Sequence, residues 1–410
     1  MASDALADLL PRFDQRGMDL GLERMHRAMA ELGWPARQRP AIQVAGTNGK
    51  GSICSFIAAA LERTAIKTGL TTSPHLVSWC ERIRVGADLI QLTELRQLLI
   101  DQAALHQRHQ LTPFEQLLMA AFSHFEHVDV DLLVLEVGLG GRLDATTAYP
   151  WRPVIAFGSI GLDHREHLGP SLEAITREKA AVINPGATVI SAAQEPAVAA
   201  ILKATCQDRN ATLQWVEPLA DTWALGLAGA WQRRNAAVAL AALQALMPLG
   251  FAVPSEAIRT GFARVRWPGR LQRARWNGHP VRLDGAHNPP AARELAQELR
   301  PEQDSTAQPH SQCWILAIQA HKQAIEMLEL LLDPADEAWI VPVPDHNSWR
   351  AEALIAQRPA WSGQLHAAAS AEDALNAIAQ RGRWPEPEPL IAGSLYLIGD
   401  LLGRGLVAAE

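Results

Sequence analysis

Ile42–Leu61 reads IQVAGTNGKGSICSFIAAAL. Its first four residues form a short apolar strand. Gly46–Ser52 (GTNGKGS) is a glycine-rich turn, after which Ile53, Phe56, Ile57, Ala60 and Leu61 recur at helical spacing. Glycines let successive backbone N–H groups turn toward one point, and the helix N-terminus adds partial positive charge there, so the unit reads as an anion site. Lys50 is placed to reach the outer phosphates of a nucleotide. The pattern departs from the common GxxxxGK[ST] form: Gly46 stands only three residues before Gly49, and Gly51 separates Lys50 from Ser52.

Working outward, Asp131–Val137 and Pro153–Ile160 are near-continuous apolar runs, as expected of parallel strands buried on both faces. Helical spacing predicts helices over Thr112–Phe125, Ser171–Val182 and Arg234–Met247. This alternation predicts a P-loop-containing, doubly wound α/β domain over residues 1–265. A second, smaller Rossmann-like α/β domain is expected over residues 266–410. It would comprise a strand at Pro280–Leu283, the turn DGAHNPP, a helix from Ala291 to Leu299, and strands at Cys313–Ile318, Ala338–Val343 and Leu390–Leu397. The polar stretch 301–312 reads as a surface loop.

The chain has 410 residues and a net charge of −7 from 37 basic and 44 acidic side chains, which argues against a nucleic-acid partner. Its N-terminus lacks the order of a secretory signal. No apolar run approaches the roughly 18 residues that span a bilayer, so a soluble, cytoplasmic protein without a membrane partner is expected. Cys54, Cys80, Cys206 and Cys313 are scattered without metal-ligand spacing and read as buried free thiols. Phosphoryl transfer calls for a divalent cation, and Glu136, ending a predicted strand, points to the sheet rim where such an ion would sit. Asp163 and His164 follow the next strand at an equivalent position.

Further segments combine with these in one order: DLGLERM (Asp19–Met25), TSPHL (Thr72–Leu76), ERIRV (Glu81–Val85), TPFE (Thr112–Glu115), EVGLGGRLDAT (Glu136–Thr146), GLDHREHLG (Gly161–Gly169), EKAAVI (Glu178–Ile183), WPGR (Trp267–Arg270), LDGAHNP (Leu283–Pro289) and GSLYL (Gly393–Leu397). Together with VAGTNGKGS they resemble the folylpolyglutamate synthase/dihydrofolate synthase family of the Mur ligase superfamily, over nearly the whole chain. The resemblance implies an ATP- and Mg²⁺-dependent ligase, expected as a monomer, that joins L-glutamate to dihydropteroate or to folates through an acyl phosphate.

Residue by residue, it implies nucleotide contacts from Thr47, Asn48, Gly49, Lys50, Gly51, Ser52, Asn235, Arg270 and Asp284. Ser73, Glu136 and His164 match magnesium ligands, and Lys179 matches a lysine that is carbamylated in the family and helps order the metal site. His287 and Ser394 match positions that receive glutamate; His287 is placed to orient it or assist its deprotonation. The pterin end is matched by Asp19, Leu20, Gly21 and Leu22, by Thr112, Pro113, Phe114 and Glu115, and by Leu143, Asp144 and Ala145.

Without the resemblance, EKAAVI reads as an amphipathic helix with a solvated lysine, Asp284 as a turn or capping residue, and Ser394 as a loop serine. Leu22, Met25, Met29 and Leu32 fit the core-facing side of a helix, and Phe114 suits either ring stacking or packing. Three departures from the family pattern, at Trp231, Ala320–Lys322 and Ser191–Pro196, bear on substrate preference.

Overall fold

The computed structural model describes residues 5–10, 19–300 and 311–410; most of the expected loop at 301–312 therefore lies outside the described residues. The chain folds into two compact units, 1–226 with 232–266, and 227–231 with 267–410.

The first unit is built on a sheet that, among the described residues, has eight strands in the order β4-β3-β2-β5-β1-β6-β7-β8. They are β1 (Ala41–Ala45), β2 (Thr68–Thr71), β3 (Ile83–Val85), β4 (Asp88–Leu89), β5 (Leu132–Glu136), β6 (Val154–Phe157), β7 (Thr188–Ala192) and β8 (Thr212–Val216). From β2 to β8 the strands run parallel, and β3 and β4 add an antiparallel edge. Every residue of β1, β5 and β6 is buried, which is why β5 up to Glu136 and all of β6 read as continuous apolar runs rather than alternating ones; in β1 the buried Gln43 amide donates to the Thr146 and Thr147 hydroxyls. The chain fills the β2 and β5 side of β1 first and then moves to the β6 side. The loops leaving β1, β5 and β6 therefore meet at a switch point, where open α/β sheets bind ligands.

The helix after β1 runs Lys50–Leu61. It packs against Ser255–Arg264, with Phe56 and Phe262 in tilted contact at 5.0 Å. A Cβ on Gly261 would lie 2.4 Å from the Ala59 carbonyl oxygen, so the two backbones touch there. The helix Glu23–Glu31 buries Met25 and Met29, as its spacing predicts, but ends before Leu32, which is 44% exposed. All four cysteines are free and buried.

The second unit carries β9 (Gln272–Trp276), β10 (His279–Leu283), β11 (Cys313–Leu316), β12 (Glu337–Ile340), β13 (Leu365–Ala367), β14 (Leu390–Ala392) and β15 (Ala408–Ala409). Among the described residues the order is β13-β12-β11-β14-β10-β9-β15, parallel through β10 and antiparallel at β9 and β15. The strand expected over Leu390–Leu397 stops at Ala392. Gly393 takes φ 94° with its Cα against the Ala317 carbonyl, and the Ser394 hydroxyl accepts the Tyr396 N–H at 3.1 Å, starting the helix Leu395–Gly403. The apolar run continues past the Gly-Ser break, and because strand and helix share its composition the spacing alone does not separate them. No helix of the described residues is long and apolar enough to cross a membrane.

Gly261→Ala would force a methyl group into the backbone contact between two helices. We expect a loss of about 1–3 kcal/mol, the usual range for overpacking, seen as a lower urea midpoint at unchanged slope. An unshifted midpoint would refute the tight helix contact.

Candidate active site

The loop after β1 is held from below by the loop after β6. The Thr47 and Asn48 N–H groups both donate to the Ser159 carbonyl, at 2.8 and 3.1 Å. The Thr47 hydroxyl donates to the Gly161 carbonyl and accepts the Gly161 N–H, each at 3.0 Å. Gly158 is required here, since a Cβ would fall 2.2 Å from the Asn48 carbonyl oxygen. Gln194 secures this second loop with both ends of its amide: Nε2 donates to Gly158 O at 2.9 Å and Oε1 accepts the Ile160 N–H at 3.0 Å. The segment Ser191–Pro196, a loose match by sequence, thus supplies a fixed support of the glycine loop.

Gly49 adopts φ 86°, and a Cβ there would meet Asn235 Oδ1 at 2.5 Å. Asn235 Nδ2 donates to Gln232 Oε1 at 2.9 Å, and Gln232 Nε2 reaches the Ser52 hydroxyl at 3.3 Å. Of the residues expected to contact nucleotide, Thr47, Asn48, Gly49, Lys50, Gly51, Ser52 and Asn235 are therefore contiguous.

Two lysines converge on one carbonyl. Lys50 Nζ donates to Gly46 O at 3.2 Å and Thr47 O at 3.1 Å, and Lys179 Nζ donates to the same Gly46 O at 3.0 Å. Lys179 lies on the helix Leu172–Ala180 and is buried, not the solvated residue its helix suggests in isolation. The surrounding fold decides this: the Gly141 Cα is pressed against the Glu178 and Lys179 carbonyls, leaving no room for a side chain. Burial, aided by the Lys50 charge and opposed by Asp163 and Asp144, brings the Lys179 amine down to about 7.

Glu136 ends β5 at the same rim. Its buried carboxylate accepts the Ser73 N–H at 3.0 Å and so ties the end of β5 to the loop leaving β2. His164 follows β6 with φ 49°, and its ring nitrogens lie 3.8 Å from carboxylate oxygens of Asp163 and Glu166. Ser73, Glu136 and His164 thus all stand on the C-terminal rim. The Glu136 carboxylate and the Ser73 hydroxyl are each hard oxygen donors of the kind Mg²⁺ uses together with waters and phosphate oxygens, and the Ser73 N–H bond keeps the two residues adjacent. Among the described residues no cluster of three or more His, Cys, Asp or Glu is grouped to hold a metal.

The three segments expected at the pterin end also meet. The Thr112 hydroxyl and Glu115 carboxylate form a capping box at the start of the Pro113–His127 helix. Arg24 joins Glu115 to Asp19. The half-buried Phe114 ring lies where a Cβ on Gly138 would fall, 2.8 Å away, and Asp144 Oδ2 is 3.3 Å from the same point. Leu20, Gly21, Leu22 and Leu143 are half-buried, while Pro113 and Ala145 are buried. Asp144 directs its carboxylate inward, accepting the Leu139 N–H at 2.9 Å and the Thr146 N–H at 3.0 Å. It closes the 138–147 loop, and burial raises its pKa.

In the second unit β10 and β14 are parallel neighbours, which sets the loops carrying His287 and Ser394 side by side. Asp284 caps the turn, accepting Leu271 N–H and Ala286 N–H, each at 2.8 Å. Burial raises its pKa, and the Arg270 charge opposes that rise. Arg270 NH1 donates to Gly269 O at 3.0 Å and occupies the space a Gly285 side chain would need. The His287 Nδ1 is 2.7 Å from Gly285 O. Trp231 packs on Gly229 and on the second unit's own core.

A glycine loop of this form on a doubly wound sheet, followed by a second parallel α/β unit, defines a Mur ligase-like enzyme. A family model described as dihydrofolate synthetase, C-terminal domain, matches residues 270–404. Dihydrofolate synthetase of Saccharomyces cerevisiae is 34% identical over 347 residues, 78% of this chain and 80% of that protein. Dihydrofolate synthase/folylpolyglutamate synthase of Escherichia coli is 35% identical over 307 residues, 71% of each chain. A solved structure of Mycobacterium tuberculosis folylpolyglutamate synthase, complexed with ADP and AMPPCP, superposes with a TM-score of 0.84 at 28% identity, covering 97% of this chain and 98% of that one. The chain belongs to the folylpolyglutamate synthase/dihydrofolate synthase family.

A native Lys179 near 7 against 10.5 when unfolded has a defined linkage. Between those values the unfolded chain binds a proton that the native protein lacks, so this group makes stability rise with pH from about 7 to 10. In bicarbonate-free buffer, the unfolding free energy of wild type minus that of Lys179→Met should shift in favour of wild type over this window. A difference that stays flat would show that the amine remains charged in the folded state.

Proposed function

We propose that this chain uses ATP to join L-glutamate to the carboxylate of dihydropteroate, and to that of reduced folates, through an acyl phosphate. The observation that carries the reading is the meeting of Lys50 and Lys179 at the Gly46 carbonyl, on the rim that also bears the Glu136–Ser73 pair. The nucleotide part draws on the ADP and AMPPCP held by the M. tuberculosis relative. The choice of dihydropteroate draws on the yeast relative's name, and the inclusion of folates on the two-part name of the E. coli relative.

In this reading a substrate carboxylate oxygen attacks the γ-phosphorus of ATP, and the bond to the β–γ bridging oxygen breaks, giving an acyl phosphate and ADP. The neutral amine of glutamate attacks the acyl carbon. The tetrahedral intermediate loses a proton and expels inorganic phosphate, leaving an amide. An unactivated carboxylate oxygen is a poor leaving group and phosphate is a good one, so the nucleotide makes amide formation feasible.

The backbone N–H groups at the start of the Lys50–Leu61 helix face the anion, and the Lys50 ammonium balances charge on the transferring phosphoryl group. Glu136 and Ser73 would hold Mg²⁺, with His164 nearby on the rim; the ion would neutralise the outer phosphates. Burial keeps part of Lys179 as the neutral amine that adds CO₂, consistent with a carbamate at this position. Arg270 and Asp284 would contribute to nucleotide binding, and His287 and Ser394 would receive glutamate.

The test is a paired assay. Purified protein is incubated with ATP, Mg²⁺ and L-glutamate, in one arm with dihydropteroate and in the other with tetrahydrofolate, and both phosphate release and product mass are followed. We expect one added glutamyl residue per phosphate in each arm. Lys50→Met and Glu136→Gln should each lower kcat by about a hundredfold or more, the scale seen when a charge-stabilising group is removed, with the circular dichroism spectrum unchanged. Folded protein giving no amide product in either arm would overturn the proposal, and product in the folate arm alone would confine the activity to polyglutamylation.

A further inference from the structure

Asp19–Leu22 precedes the helix Glu23–Glu31; Leu22 packs on the core at its helix end, and the polar tie of its outer end, Asp19, is made by one side chain. Arg24 NH1 donates to Asp19 Oδ2 at 2.7 Å, and NH2 donates to the Asp19 carbonyl at 2.6 Å. The same guanidinium turns to Glu115, with Nε 3.2 Å from Oε2 and NH2 3.2 Å from Oε1. Glu115 is itself immobilised: its side chain is 4% exposed, and Oε2 also accepts the Thr112 N–H at 2.7 Å. Next to it in sequence, Phe114 abuts Gly138 and, through it, the Asp144 loop. The chain of contacts is therefore Asp19, Arg24, Glu115 and Thr112, then Phe114, Gly138 and Asp144.

A planar guanidinium holds a backbone carbonyl and two carboxylates in fixed directions across its fork, whereas the compact ammonium of a lysine on a flexible stem does not reproduce that spacing. Nothing else in this cluster needs a fork. Glu115 already completes its capping box with the backbone, and Asp19 is 67% exposed, too wet for its ion pair alone to contribute much stability. What Arg24 adds is the position of residues 19–22 against the first turn of the Pro113–His127 helix.

We propose that Arg24 is a positioning residue that sets the geometry of the pteroate-binding end, through Asp19 on one side and Glu115 on the other, without touching the reacting atoms. This rests on the function proposed above for the site. Its consequence is a separation of kinetic constants. Loss of the fork loosens the recognition segment and weakens pteroate binding, while the phosphate loop and its lysines, built on other elements, are unchanged.

Two measurements test this. In steady-state assays Arg24→Gln should raise KM for dihydropteroate about tenfold, with kcat and KM for ATP within about twofold of wild type. Arg24→Lys should recover only part of the loss. If Arg24→Gln folds poorly, Arg24→Lys serves in its place, since it keeps the charge and loses the fork that reaches Asp19 and Glu115 together. Hydrogen exchange on the substrate-free protein should show faster exchange in residues 19–22 in Arg24→Gln, with the Lys50–Leu61 helix unaffected.

Unchanged exchange in residues 19–22 overturns the proposal whatever the substrate proves to be. So does an unchanged KM for dihydropteroate, or a fall in kcat, ATP affinity and melting temperature together, which would mark Arg24 as a fold residue only. Failure of the function reading is distinguished by wild-type protein that forms no amide product while the exchange difference persists.

Discussion

The carbonyl of Asn48 lies against Gly158 so closely that no side chain fits between them. The rest of the first unit's chemistry depends on that contact. It lets Ser159 and Gly161 take the N–H and hydroxyl groups of the preceding turn, which leaves the glycine loop no freedom to collapse. A loop that must present backbone N–H groups to an anion cannot satisfy them all internally. Its conformation has to be imposed by neighbours, and here the neighbours are the next parallel strand's loop and the Gln194 amide behind it.

The rim derives its electrostatic character from burial as much as from charge. Burial strips water from the Lys179 amine, and the Lys50 ammonium on the same carbonyl oxygen adds repulsion, so the amine is brought down to about 7. A lysine so placed is held ready to be neutral, which a solvated one is not. Asp144 and Asp284 show the opposite response to the same cause, their pKa values raised because burial disfavours the anion, with hydrogen bonds from backbone N–H groups limiting the rise. Each of these two carboxylates closes a turn.

Both units repeat one device: parallel neighbours bring loops from distant parts of the chain to a common rim. In the first, β5, β1 and β6 bring together residues near 46, 136 and 160. In the second, β10 and β14 do this for His287 and Ser394, which are more than a hundred residues apart. In the second unit short capped turns then start the helices that follow, at Asn288 and Ser394.

Much of this was readable in the linear order of residues. Apolar runs on strands buried from both sides, glycines at a strand end, and helical spacing after them are local signals, and each determines its own element and the polarity of its ends. The family, too, follows from the order of short segments. Strand and helix could not be told apart in Leu390–Leu397, because only the packing of Gly393 against Ala317 breaks the run. The sequence also could not disclose that Lys179 is buried, that Gln194 braces the loop after β6, or that Arg24 links Asp19 to Glu115. Each of these depends on what lies across space from the residue, over separations of up to 133 positions, and local pattern carries no record of distances between residues so far apart along the chain.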